Sequence, residues 1–181
     1  TRFRPSKSVN DDVHNFVPTS QSVSPTKIAF ITSGGTASAS ELVINGMAPY
    51  LGSNIAIVGS NTFGKPVGQV AIDRAACDDR LRVVAFSTGN ANNQFNYFDG
   101  LASLITNNCQ AGDDFSFQLG DPREASVKQA IDFLGGRSCT PMASSQRSAA
   151  ATREFAVGSR RTQLIAPIRP NAPQREVPGL F

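Results

Sequence analysis

Lys27-Ile28-Ala29-Phe30-Ile31-Thr32-Ser33-Gly34-Gly35-Thr36-Ala37-Ser38-Ala39-Ser40-Glu41 is the stretch on which the fold turns. Its first six residues are short, apolar and rich in β-branched side chains, which predicts a buried strand closed by the glycine pair. A helix follows, since Ser38 and Glu41 have capping-box spacing and Leu42, Val43, Gly46, Met47 and Tyr50 recur at roughly helical intervals. A strand running through two glycines into a helix agrees with an α/β fold and puts Ser38 at a helix N-terminus. The free N–H groups and positive dipole end there favour an oxyanion. The Ala39 N–H is therefore the candidate donor to the charge that develops when the Ser38 hydroxyl attacks a carbonyl, and Gly34-Gly35 leave room for a substrate to approach.

Working outward, Ile55-Ala56-Ile57-Val58-Gly59 and Val67-Gly68-Gln69-Val70-Ala71-Ile72 read as two further strands. The connection between them carries Lys65, 27 residues after Ser38. A serine hydroxyl needs a base. The single histidine, His14, lies in a polar segment with no patterned element around it. A lysine can serve once desolvation favours its neutral form, and Phe63, Gly64, Pro66 and Val67 around Lys65 are a setting for that. Gln69, four residues on, is placed to aim the amine.

The remaining apolar pattern adds a strand over Leu81 to Ser87 and a second helix. That helix has Asp121 as N-cap, Pro122 at its first position, Glu124 three after the cap, apolar Val127, Ala130, Ile131 and Leu134, and Gly135-Gly136 as stop. Residues 1–26 are polar, with Pro5, Pro18 and Pro25, and read as an arm or loop; residues 27–139 hold the core; residues 140–181 read as a Pro/Arg-rich tail of low complexity. At 181 residues and 40% apolar content, one domain with a modest core is the expectation.

The tail holds six arginines against two glutamates, leaving 11 basic against 12 acidic residues elsewhere in a chain of net charge +3. Nucleic-acid binding calls for that surplus on a folded face with interleaved aromatics, and the tail offers only Phe155 and Phe181. A solvated or docking arm is the favoured reading. No apolar run is long enough to cross a membrane. One histidine and three scattered cysteines lack metal-ligand spacing. Cys109 and Cys139 flank the second helix and are a candidate disulfide in an oxidising compartment, with Cys77 left over; the sequence leaves three free thiols equally open.

Thr36-Ala37-Ser38-Ala39-Ser40-Glu41, then Gly59-Ser60-Asn61-Thr62-Phe63-Gly64-Lys65, then Gln69, resemble the core of the S41 serine peptidases, the tail-specific or carboxyl-terminal processing proteases. The resemblance continues more weakly through Phe86 to Ala91, Asp113-Asp114 and Asp132 to Leu134, over about residues 26–139. It implies a layered α/β core related to the crotonase and Clp protease folds. It places Ser38 on the family nucleophile, Lys65 on the general base, Gln69 on the residue that orients the lysine and Glu41 on a supporting acid. It further implies polypeptide substrates, no cofactor, and a periplasmic, envelope-associated or secreted setting.

The chain departs from the family pattern in three ways. The interval from Ser38 to Lys65 is slightly long, with extra residues around Leu51 to Asn54, which a surface turn absorbs. Pro66 stands where a small or polar residue is usual. Family members also carry further strands, a glycine giving a second oxyanion N–H and usually a PDZ domain upstream, whereas 26 residues precede Lys27. The chain is therefore expected to be the C-terminal part of the catalytic domain, completed by an upstream portion of the same protein or by a second copy.

Gly59 to Lys65 fits the first seven positions of a Walker A loop, but Pro66 has no hydroxyl for magnesium and leads into a strand where a P-loop needs a helix. Taken singly, Ser38 is an N-cap, with Ser40 equally placed to be the exposed hydroxyl, Lys65 a solvated turn lysine, Gln69 an outward strand residue and Glu41 a capping partner. Asp113-Asp114 reads as a solvated turn. A non-catalytic binding or assembly fragment remains the alternative function, and it predicts exposed apolar surface.

Overall fold

The computed structural model describes residues 2–3, 14–74, 76 and 79–143. Cys77 and everything from residue 144 onward, most of the tail, lie outside the described residues. The elements are β1 (Arg2–Phe3), β2 (Ile28–Thr32), α1 (Ala39–Leu51), β3 (Ile55–Gly59), β4 (Val67–Arg74), β5 (Asp79–Ser87), β6 (Asn107–Gln110) and α2 (Ala125–Leu134), with 3-10 turns at Gly52–Asn54 and Leu101–Ser103. The protein is a mixed α/β structure with two three-stranded sheets, β2-β3-β6 and β1-β5-β4.

The first sheet is parallel, with Ile28 opposite Ile55, Thr32 opposite Gly59, and Ala56 to Gly59 opposite Asn107 to Gln110. Its centre, β3, is buried along its whole length. Alternation sends Ile55 and Ile57 to one face, where they pack with Ile44 of α1, Tyr97, Leu101, Ile105 and Met142. Val58 faces the other way, against Cys109 and Ala130 of α2. An unbroken apolar run is what a parallel strand covered on both faces requires.

The second sheet is antiparallel. β4 and β5 form a hairpin in which Val70 pairs with Val83 and Ile72 with Leu81, and a register shift at Gly68/Gln69 marks a bulge. Ser87 and Phe86 also pair with Arg2 and Phe3, so the N-terminal arm contributes a short strand.

The strands read from sequence over Lys27 to Thr32, Ile55 to Gly59, Val67 to Ile72 and Leu81 to Ser87 correspond to β2 to β5. Two details differ for physical reasons. The apolar residues whose helical spacing marks α1 point outward: Val43 and Tyr50 are 52% and 80% exposed, and Leu42 and Met47 are also exposed. The buried face is instead Glu41, Ile44 and Asn45. In α2 the N-cap is Glu124, whose carboxylate accepts from Ser126 N–H (3.0 Å) and Val127 N–H (2.8 Å). Asp121 closes the preceding turn, accepting from Arg123 N–H at 2.9 Å and pairing with its guanidinium.

Beyond α2 the chain returns to the parallel sheet. Gln110 N–H donates to Thr140 O (2.8 Å) and Met142 N–H to Asn108 O (3.1 Å), so residues 140–142 lie along the outer edge of β6. Cys109 and Cys139 are disulfide-bonded, their Cα atoms 5.4 Å apart, and close a loop around α2.

Candidate active site

Between β2 and α1 the chain makes a turn in which Thr36 N–H donates to Ser33 O (2.9 Å) and Ser33 N–H to Thr36 Oγ1 (3.0 Å). Neither glycine of this turn is crowded. A Cβ added at Gly34 would meet nothing within 4 Å, and one at Gly35 only Ser33 Oγ at 3.7 Å.

Ser38 itself stands at φ 56°, ψ −110°, one of two non-glycine residues with positive φ among the described residues. That conformation costs about 1–3 kcal/mol and persists only where neighbours enforce it. The enforcing contacts are Ser38 N–H to Glu41 Oε2 (2.9 Å) and Leu42 N–H to Ser38 O (2.9 Å). Ser38 is half-buried and Ala39 exposed. As the first helical residue, Ala39 has no intrahelical acceptor for its N–H.

Glu41 is fully buried. Its Oε1 accepts from Gly64 N–H at 2.7 Å, and its Oε2, already bonded to Ser38 N–H, accepts from Lys65 N–H at 2.8 Å. One carboxylate oxygen thus holds the main-chain nitrogens of Ser38 and Lys65 within two hydrogen-bond lengths of each other. The carboxylate shares its charge among three N–H donors, which compensates its burial.

The connection from β3 to β4 brings Lys65 to that point without regular structure. Ser60 N–H donates to Thr32 O (3.0 Å) and Phe63 N–H to Thr36 O (2.9 Å), fastening the connection to the turn ahead of Ser38. Lys65 is half-buried, and Pro66 accepts at its carbonyl from Thr88 N–H at 2.8 Å. The chain then enters β4, a strand where a phosphate-binding loop needs a helix. Gln69 lies on β4 just beyond the bulge, exposed and opposite Val84. Among the described residues no hydrogen bond joins its side chain to Lys65. His14 is exposed, in irregular chain ahead of β2.

Several polar residues that sequence reasoning passed over are buried here. Asn45, one helical turn after Glu41, donates to Gln94 O (3.1 Å) and accepts from Asn90 Nδ2 (2.8 Å), tying the segment after β5 to α1. Tyr97 is fully buried, its hydroxyl 2.8 Å from Thr88 Oγ1. Burial raises the Tyr97 pKa above its ordinary value; the Thr88 hydrogen bond opposes the shift and the nearby Glu41 charge adds to it. The signal for Asn45 was its i, i+4 spacing from Glu41, which marks a polar pair on one helix face.

No family model and no curated protein matches the sequence. Among solved structures, the chain is similar to a crystal structure described as "Putative S41 protease from Bacteroides fragilis", with a TM-score of 0.51 and 22% identity. The likeness is one of fold. It covers 61% of this chain and 28% of the other, so the chain matches well under half the length of that protein.

Proposed function

We propose that this chain carries the Ser-Lys centre of an S41-type, tail-specific serine peptidase, built on a crotonase-like core. The observation that carries the reading is Glu41 Oε2, which accepts N–H groups of both Ser38 and Lys65 while Ser38 is held strained at a helix start. The fold likeness to an S41 protease supports the same reading.

In the reaction, neutral Lys65 takes the Ser38 hydroxyl proton as Oγ attacks a peptide carbonyl, and the Ala39 N–H donates to the oxyanion. The proton passes to the leaving amine as the peptide bond breaks, and water, deprotonated by Lys65, hydrolyses the acyl-enzyme. Gln69 takes the role of aiming the amine once substrate is bound, and Glu41 fixes the frame. Substrates are extended polypeptides, no cofactor takes part, and the setting is periplasmic, envelope-associated or secreted, in keeping with the Cys109–Cys139 disulfide.

The test is labelling with a fluorophosphonate. Labelling that maps to Ser38 and is lost in Ser38→Ala and Lys65→Ala supports the dyad. Absence of labelling, with the chain alone and with any upstream segment supplied, removes it.

A second reading, an assembly module completed by another portion of the protein or a second copy, is favoured by one observation: the exposed Leu42, Val43, Met47 and Tyr50 on α1. It predicts a change in particle size without labelling.

A further inference from the structure

The loop bearing Lys65 has no strand or helix of its own; besides its main-chain bonds to Thr32, Thr36 and Thr88, side chains hold it in place. Glu41 holds it from α1. A second set of contacts holds it from the 97–102 segment. Asn61 is 2% exposed and Thr62 fully buried. Asn61 Nδ2 donates to Asp99 O at 2.6 Å, and its Oδ1 accepts from Thr62 N–H and Ala102 N–H, both at 2.9 Å. Thr62 Oγ1 accepts from Leu101 N–H at 2.8 Å. The two side chains thereby satisfy N–H groups at the start of the Leu101–Ser103 turn, which has no internal acceptors for them.

The main chains also meet closely. A Cβ on Gly64, at φ 92°, would lie 2.1 Å from Phe98 O, and one on Gly100, at φ 88°, would lie 2.4 Å from Thr62 O. There is no room for the two segments to slide past each other. Because Gly64 and Lys65 follow Asn61 by three and four residues, a shift at Asn61 moves the lysine.

We propose that Asn61 is a positioning residue for Lys65, docking the lysine loop onto the 97–102 segment so that the amine keeps its register with Ser38. The inference rests on the Ser-Lys reading for its chemistry and on the contacts above for its geometry.

The test compares Asn61→Ala and Asn61→Asp with Asn108→Ala. Asn108 is a similarly buried residue that donates to Ala102 O, Ile105 O and Thr106 O; it therefore holds the far end of the same segment but has no hydrogen bond to the lysine loop among the described residues. Asn61→Asp keeps the acceptor and loses the donor to Asp99 O. Fluorophosphonate acylation of Ser38 is expected to slow about 10- to 100-fold in Asn61→Ala, in the maximal rate and not in the half-saturating probe concentration. Asn61→Asp should fall between wild type and Asn61→Ala, and Asn108→Ala should stay near wild type at temperatures where it is folded. Amide exchange at Gly64 and Lys65, measured relative to β3, should quicken in Asn61→Ala alone.

If Asn61→Ala and Asn108→Ala match in rate and in exchange, Asn61 is only a stabilising residue and the proposal falls. If the wild type does not label at all, the peptidase reading fails by itself, and exchange at Gly64 and Lys65 still decides whether Asn61 sets the lysine loop.

Discussion

A buried carboxylate that accepts three main-chain N–H groups has no neutral substitute of the same shape, because an amide turns one acceptor into a donor. Glu41→Gln sets its NH2 against N–H groups of Ser38 and Lys65 or of Gly64. We expect a loss of about 2–3 kcal/mol in urea denaturation, and more in Glu41→Ala. An unchanged midpoint in Glu41→Gln would remove Glu41 from the frame. Gly34 gives the opposite case. It has no positive φ and no neighbour for a Cβ, so Gly34→Ala should leave thermal stability unchanged. If the space before Ser38 receives a polypeptide, the same variant should slow peptide cleavage while a small fluorophosphonate still labels Ser38. Equal effects on both reagents would mean that the glycine serves the turn.

At the scale of elements, the two helix starts show where pattern reading succeeds. Ser38-x-x-Glu41 started α1 because spacing and chemistry agreed. Asp121-Pro122-x-Glu124 carried two valid start signals, and the choice went to Glu124, whose carboxylate reaches two free N–H groups while Asp121 is engaged by Arg123. Glu124→Ala should therefore cost about 1 kcal/mol. Asp121→Ala should cost less, and the reverse order in thermal denaturation would restore the earlier boundary. β6 was not readable at all. Asn107-Asn108-Cys109-Gln110 has low strand propensity, and it is a strand because β3 offers an edge and the two asparagines find carbonyls, Asn107 at Ser53 O (2.7 Å) and Asn108 at Ile105 O (3.1 Å). The buried polar face of α1 escaped notice for a related reason. Helical periodicity ranks apolar residues, and here Glu41 and Asn45 are the ones turned inward, leaving Val43 and Tyr50 outside.

For the whole molecule, apolar surface is exposed in two places. One is the outer face of α1. The other is the hairpin face of Val70, Ile72, Leu81 and Val83, which are 39%, 55%, 61% and 41% exposed. Surfaces of this kind mark contact sites in monomeric domains. The chain is expected to sediment above its monomer mass at tens of micromolar, and the double variant Met47→Glu with Tyr50→Glu to shift it toward monomer. A monomer at every concentration would leave the α1 face without a self-contact. The order in which the core is assembled follows from the return of residues 140–142 to β6. Ile44 and Met142 share one apolar cluster, and Cys109 waits for Cys139. A ribosome releases Ile44 long before Met142, so the centre of the protein stays open during synthesis and closes only when nearly the last described residues arrive. Until then the apolar cluster lacks one of its members and the Cys109 thiol lacks its partner, so the loop around α2 is sealed by one of the last steps of folding.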